Sequence, residues 1–194
     1  MTPLEFYKRA VHPLIEPLFS MTERGVKFDH DKRKDVKKVY EDEFSVMQQK
    51  LNNLVGNELN IGSHKQMTTW LYDELKLPKQ TKKRKDGDET ETADEEALNK
   101  LYKKYPREEI KLVLGMREKQ KLLSTYLNVK VDEDKRIRCT YNISGTETGR
   151  LSSSATAFGT GTNLQNIPEG IIRSMFVADE GFRFINADLS QAEA

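Results

Sequence analysis

Val36, Tyr40, Phe44, Met47, Leu51 and Leu54 recur at intervals of three and four residues. That spacing draws one continuous apolar stripe along a helix, and Asp29 stands where a side-chain oxygen can cap its start. A helix over 29–55 is about 40 Å long at 1.5 Å per residue. A rod of that length with a single apolar stripe stands off a body as an arm or pairs antiparallel with a second rod. The spacing predicts the partner over 107–127, starting just after Pro106.

Between the two rods the signals are those of a smaller helical unit. Ser63 is positioned to cap a helix holding Met67, Trp70 and Leu71. The stretch KQTKKRKDGDETETADEEAL is basic and then acidic, which reads as a solvated surface loop. Helix signals resume at Asp94, with Ala97, Leu98, Leu101 and Tyr102 as the stripe. Ahead of the first rod, PLIEPLFSMTERG is amphipathic, with Gly25 as its C-terminal cap. From about Arg136 the texture changes to short strand-like runs, glycines and serines, after the polar turn VDEDKR. The expected fold class is α+β, mainly α. Two long antiparallel helices with a small helical tip come first, and β-strands follow.

The bulk numbers exclude several classes. The formal net charge of +1 gives no overall basic field, so any nucleic-acid role rests on local patches. A single cysteine, Cys139, rules out a disulfide framework and points to a reducing compartment, hence a cytoplasmic location. Cys139 sits in RIRCTYNI, which alternates like a strand, so an inert strand residue is expected there. No apolar run approaches the ~18 residues of a membrane span, so no membrane partner is expected.

The residues able to carry chemistry lie in four stretches. Arg117, Lys121 and Ser124/Thr125 recur on one side of the second rod. They read as a solvated face, or as a row of donors for phosphate oxygens. In TGRLSSS, Gly149 permits a sharp turn before Arg150. NLQNIP packs the amides Asn163, Gln165 and Asn166 around Leu164 and Ile167. Amides donate and accept, which suits a capped polar loop or contact with minor-groove acceptors and sugars. Finally, GFRFINADLS has strand alternation, with Phe182, Phe184, Asn186 and Asp188 on one face. Asp188 is a helix cap or a hard-cation ligand on pattern alone.

Taken together, TGRLSSS, NLQNIP, an Arg ahead of an apolar pair and a strand running into DLSQAE resemble family A DNA polymerases, the DNA polymerase I type. Order and spacing both match. LFSMTERGVKFD, NIGSHKQMTTWLYDELKLP, ADEEAL and KLLSTYL are similar to the family's thumb segments, so the likeness covers nearly the whole chain. It implies a thumb over 1–131, with its tip at about 57–105. It implies the first part of a palm over 132–194, ending within the first catalytic motif.

By that resemblance Asp188 binds two catalytic Mg²⁺ ions, joined by the backbone carbonyl of Leu189. Glu193 is the sugar gate that leaves no room for a 2′-hydroxyl. Arg150 reaches the minor groove at the primer terminus, and Asn163, Gln165 and Asn166 line the duplex beside it. Arg117, Lys121 and Thr125 grip the primer backbone, with Ser63 and Lys65 as further contacts at the tip. The implied partners are primer–template DNA, a deoxynucleoside triphosphate, and a second polypeptide carrying the remaining palm and fingers. Without that second polypeptide the fragment is expected to be inactive. The alternative is a non-catalytic duplex-DNA-binding remnant, which has no use for Asp188 and Glu193. Leu189 and Ala192 depart from the family's Tyr and Ile, and SATAFGTGT replaces a shorter link.

Overall fold

The computed structural model describes residues 2–83 and 87–187. In chain order the helices and strands are α1 Pro3–Phe6, α2 His12–Arg24, β1 Val26–Phe28, α3 His30–Val55, α4 His64–Thr68, β2 Thr81–Lys83, β3 Glu89–Glu91, α5 Glu95–Lys104, α6 Glu108–Leu122, β4 Arg136–Ile137, β5 Thr140–Asn142, β6 Ser152–Ser154 and β7 Phe176–Val177. Wider π-type turns join α1 to α2 and extend α4 and α6 to Glu74 and Leu127. The architecture is α+β and mainly α. No helix among the described residues is long and apolar enough to cross a membrane. The chain divides into two compact units, residues 38–123 and residues 1–37 with 124–194.

In the 38–123 unit, α3 and α6 run antiparallel. Glu43 pairs with Lys119 at one end, and Lys50 pairs with Glu108 (2.5 Å) at the other. Between them Met47 packs against Gly115, and the Lys119 ammonium lies 4.9 Å over the Tyr40 ring. The stripe read from the sequence faces the core through Phe44, Met47 and Leu51. It then shifts by one residue, so that Val55 packs inward and Leu54 is exposed. A straight helix repeats at 3.6 residues, so a 3–4 stripe drifts around its surface and its last member can leave the contact. Met67, Trp70, Leu71, Leu98, Leu101, Ile110, Val113 and Met116 complete the core. Burial of each stabilises by about 1.5–3 kcal/mol. Ser63 accepts from Gln66 N–H and Asp94 from Ala97 N–H, so both expected caps start their helices. The basic-then-acidic stretch forms an antiparallel pair, β2 with β3, with the ion pairs Lys79–Glu91 and Lys82–Asp94 beside it.

In the other unit a three-stranded antiparallel sheet has the order β4-β1-β7, with Val26 opposite Ile137 and Phe28 opposite Phe176. Phe28 and Phe176 meet edge to face at 5.0 Å. Asp29 accepts from the backbone N–H groups of Asp31 and Lys32, the cap expected for α3. α2 ends at Gly25, whose N–H donates to the Met21 carbonyl. Of the apolar residues in PLIEPLFSM only Leu18 is buried. Cys139 is buried, but it lies in the two-residue link between β4 and β5 and not within a strand as its alternation suggested. Residues 182–187, expected as a strand, are exposed and unpaired among the described residues. A strand exists only through its neighbours, and alternation alone supplies none.

One arginine fastens this unit. Arg138 donates to the Glu23 carbonyl at the end of α2 (2.8 Å), to Asp132 (2.6 Å) and to Asp134 (2.6 and 3.0 Å). The hydrogen bond from Arg138 holds the Asp134 carboxyl well below its usual range, at about 2. A lowered carboxylate pKa contributes stability that is fully present above about pH 4 and lost as pH falls through about 2. Asp134 is 48% exposed, so screening keeps that contribution to about 1 kcal/mol or less. Asp134→Asn should therefore lower the thermal midpoint at pH 6, with the gap between wild type and variant closing as pH falls from about 4 to about 2. Unfolding followed by circular dichroism at stepped pH measures this, and a gap independent of pH would rule out the ionised pair as its source.

Candidate nucleic-acid interface

β5 and β6 form a hairpin with Tyr141 opposite Ser153. In the connection, the Gly149 N–H donates to the Thr146 carbonyl (3.3 Å), and the Thr146 hydroxyl donates to the Arg150 carbonyl (2.6 Å). Gly149 has φ +74°, a conformation that other residues adopt only with strain. The turn thus fixes the backbone at Arg150 and leaves its side chain exposed.

The amide series sits against this hairpin. Ser153 donates to the Asn163 side-chain oxygen at 2.7 Å, and that oxygen also accepts from Gln165 N–H, capping the single turn Leu164–Asn166. Gln165 donates from its amide to the Leu151 carbonyl at 3.2 Å. The Asn166 carbonyl accepts from the Tyr126 hydroxyl at 2.5 Å, and burial pushes that hydroxyl's pKa up. The amide series is thus a capped polar loop tied to the hairpin. The Asn163 oxygen is used internally, and its amide NH₂ is the half suited to a groove lined with acceptors. Gln165 and Asn166 are exposed. The alternation and loop signals did not mark Ser153 or Tyr126, because a lone hydroxyl on a strand or helix reads as neutral.

Thr125 belongs to the same unit and is partly buried beside Tyr126 and Leu127. In the 38–123 unit, Lys65 and Lys121 are exposed, and Ser63 is the partly buried cap of α4. Arg117 has a task that its helical spacing did not signal. It donates to the carbonyls of Ala93 (2.5 Å) and Ile61 (3.0 Å) and is about half buried, and that burial lowers its pKa. Those carbonyls lie just ahead of the Asp94 and Ser63 caps, so one guanidinium ties the starts of α5 and α4 to α6. Asp188, Leu189 and Glu193 lie outside the described residues. Among the described residues, no cluster of three or more His, Cys, Asp or Glu could hold a metal ion. A carboxylate and a backbone carbonyl, the donors at 188 and 189, are hard oxygen ligands of the kind Mg²⁺ takes.

The family model for DNA polymerase family A matches residues 30–194, and the chain belongs to that family. It is 36% identical to DNA polymerase I of Caldicellulosiruptor bescii over 196 residues, covering 96% of this chain and 22% of the relative. It is 35% identical to DNA polymerase I of Helicobacter pylori over 191 residues, covering 93% and 20%. Among solved structures it resembles the POL domain of Pol1 from M. smegmatis in complex with DNA primer-template and dNTP. That match has a TM-score of 0.74 and 32% identity, over 90% of this chain and 30% of the other. The chain spans about a fifth of the length of these curated relatives.

The pair of hydrogen bonds from Arg117 has its own signature. Removing a charged donor from two partly buried carbonyls costs about 1–3 kcal/mol, or roughly 2–10 °C in thermal midpoint at this size. Arg117→Met and Arg117→Lys should both show that loss, because an ammonium lacks the planar fork that spans two acceptors. A fully retained midpoint in Arg117→Lys would show that charge alone, and not the fork, acts here.

Proposed function

We propose that this chain is the duplex-gripping and primer-end-checking part of a template-directed DNA polymerase that adds deoxynucleotides to a primer 3′-end. On this reading residues 1–131 form the thumb and 132–194 the first part of the palm. The observation that carries it is the tied patch of donors. Arg150 stands on a fixed turn, and Asn163, Gln165 and Asn166 are held beside it by Ser153, Leu151 and Tyr126. Purine N3 and pyrimidine O2 present nearly the same acceptors in every base pair. Donors set at fixed separation therefore test pair shape without reading sequence, as copying requires. Lys65 and Lys121 are suited to the phosphate backbone, where contacts carry position and not sequence.

Asp188, with the Leu189 carbonyl, would hold Mg²⁺. When bound, the ions neutralise charge on the triphosphate and lower the pKa of the primer 3′-hydroxyl. Glu193 would close the space a 2′-hydroxyl needs, selecting deoxynucleotides. Polymerisation also needs cations for the triphosphate and a second palm carboxylate. Those belong to the remaining palm and fingers, on a second polypeptide or on a longer form of this one.

Two measurements test the reading. The chain should bind a primer–template duplex in fluorescence anisotropy with an affinity that falls as salt rises, because phosphate contacts release counterions. In a polymerase containing this chain, Asp188→Ala should cut primer extension by at least about 100-fold while duplex affinity is kept. Full extension in that variant would sink the metal role.

A further inference from the structure

SATAFGTGT presents one aromatic side chain in a frame too rigid to be a slack surface loop. Phe158 is 92% exposed, as is only one other large apolar residue among those described, Ile185. A single exposed apolar residue is ordinary, so the frame is what matters. Gly159 N–H donates to the Thr156 carbonyl, making a tight turn with Phe158 in its third position. Thr156 N–H donates to the Thr160 carbonyl (2.9 Å), and the two threonine hydroxyls bond at 2.8 Å. Below the turn, Gly161 N–H donates to the Lys130 carbonyl (2.7 Å) and Thr162 N–H to the Arg138 carbonyl (3.3 Å). A Cβ on Gly161 would lie 1.8 Å from the Arg138 carbonyl oxygen, so the loop is pressed on the link between β4 and β5 with no room for a side chain. The turn is closed from both sides, and Phe158 has no slack with which to fold back.

The legs of this loop run directly into the donor patch. Ser153 on one leg bonds Asn163 on the other. Phe158 is five residues from each (158 − 153 and 163 − 158). Five extended residues span at most about 17 Å, half the ~34 Å of one duplex turn. The ring therefore lies within half a duplex turn of Ser153 and Asn163, close enough to meet a duplex seated on the donors from its own side. An aromatic ring held in the open beside donors for a nucleic-acid groove has one general partner, the π-face of a base.

We propose that Phe158 stacks on a nucleobase of the primer–template DNA, acting as a binding residue additional to the polar contacts. This rests on the polymerase reading above. The base is either an unpaired template base or one at a base step opened within the duplex. Stacking is the same chemistry in both.

The test uses this chain with primer–template DNA carrying 2-aminopurine, a base whose fluorescence reports stacking. In one arm the probe is the first unpaired template base, and in the other it lies at a base step of a blunt duplex. Wild type should change the fluorescence in one arm, and that arm identifies the base. Phe158→Ala should weaken binding by about 5- to 100-fold and abolish the change. The slope of affinity against salt should not move, because no charge is lost. Phe158→Trp should retain both affinity and signal, whereas Phe158→Leu should behave like Phe158→Ala, separating stacking from general apolar contact. With the side chain almost fully exposed, none of these substitutions touches the core. Equal binding by wild type and Phe158→Ala overturns the inference and leaves the polymerase reading standing, as does a signal in neither arm. If wild type binds no primer–template at all, both fall.

Discussion

Arg138 is the pin on which residues 1–37 and 124–187 turn. Its guanidinium joins the last carbonyl region of α2 to the acidic turn at 132–134. Its own carbonyl receives Thr162 N–H and backs Gly161. One residue thus fixes the helix ahead of the sheet, the strand start and the loop that leads into the amide series. Remove it and two carboxylates lose their cation while a helix end loses its donor, at the place where the donor patch is aligned. The neighbouring Arg136 works in parallel, clasping Asp179 at 2.5 and 2.6 Å and the Gly25 carbonyl at 3.3 Å.

The 38–123 unit uses the same device. Arg117 ties two helix starts by their preceding carbonyls, where an apolar residue would leave those acceptors unmatched. Arginine suits such work because its donors diverge in one rigid plane. A positive residue on a helix can be held by the protein's own carbonyls or stand open to solvent, and helical spacing does not tell the two apart. Burial does: Lys121 and Lys65 are exposed and Arg117 is half buried.

Regular helical features were legible in the sequence. The α3 stripe, the Asp29, Ser63 and Asp94 caps and the end of α2 at Gly25 all follow from local spacing and local chemistry. What was not legible depends on partners distant in the chain. Val26–Phe28 carries no strand signal of its own, and becomes one because Arg136–Ile137 and Phe176–Val177 lie on either side. Conversely, 182–187 alternates well and pairs with no described strand. At the site, Arg150 and the amides were visible as types. Their mutual ties through Ser153, Leu151 and Tyr126 were not, since a hydrogen bond between residues 10, 14 or 40 apart leaves no periodicity.

The sheet register carries a further consequence, for the order in which the protein is made. Val26 meets its partner Ile137 across 111 residues (137 − 26), and Lys27 meets Val177 across 150 (177 − 27). At about 5–20 residues per second of synthesis, β1 waits roughly 5–30 s for both neighbours. The whole 38–123 stretch, continuous in sequence, emerges during that interval and can bury its own core. A nascent chain of this kind matures from its middle outward. For those seconds Val26–Phe28 has no partners, and its backbone donors and acceptors are open to any passing extended segment.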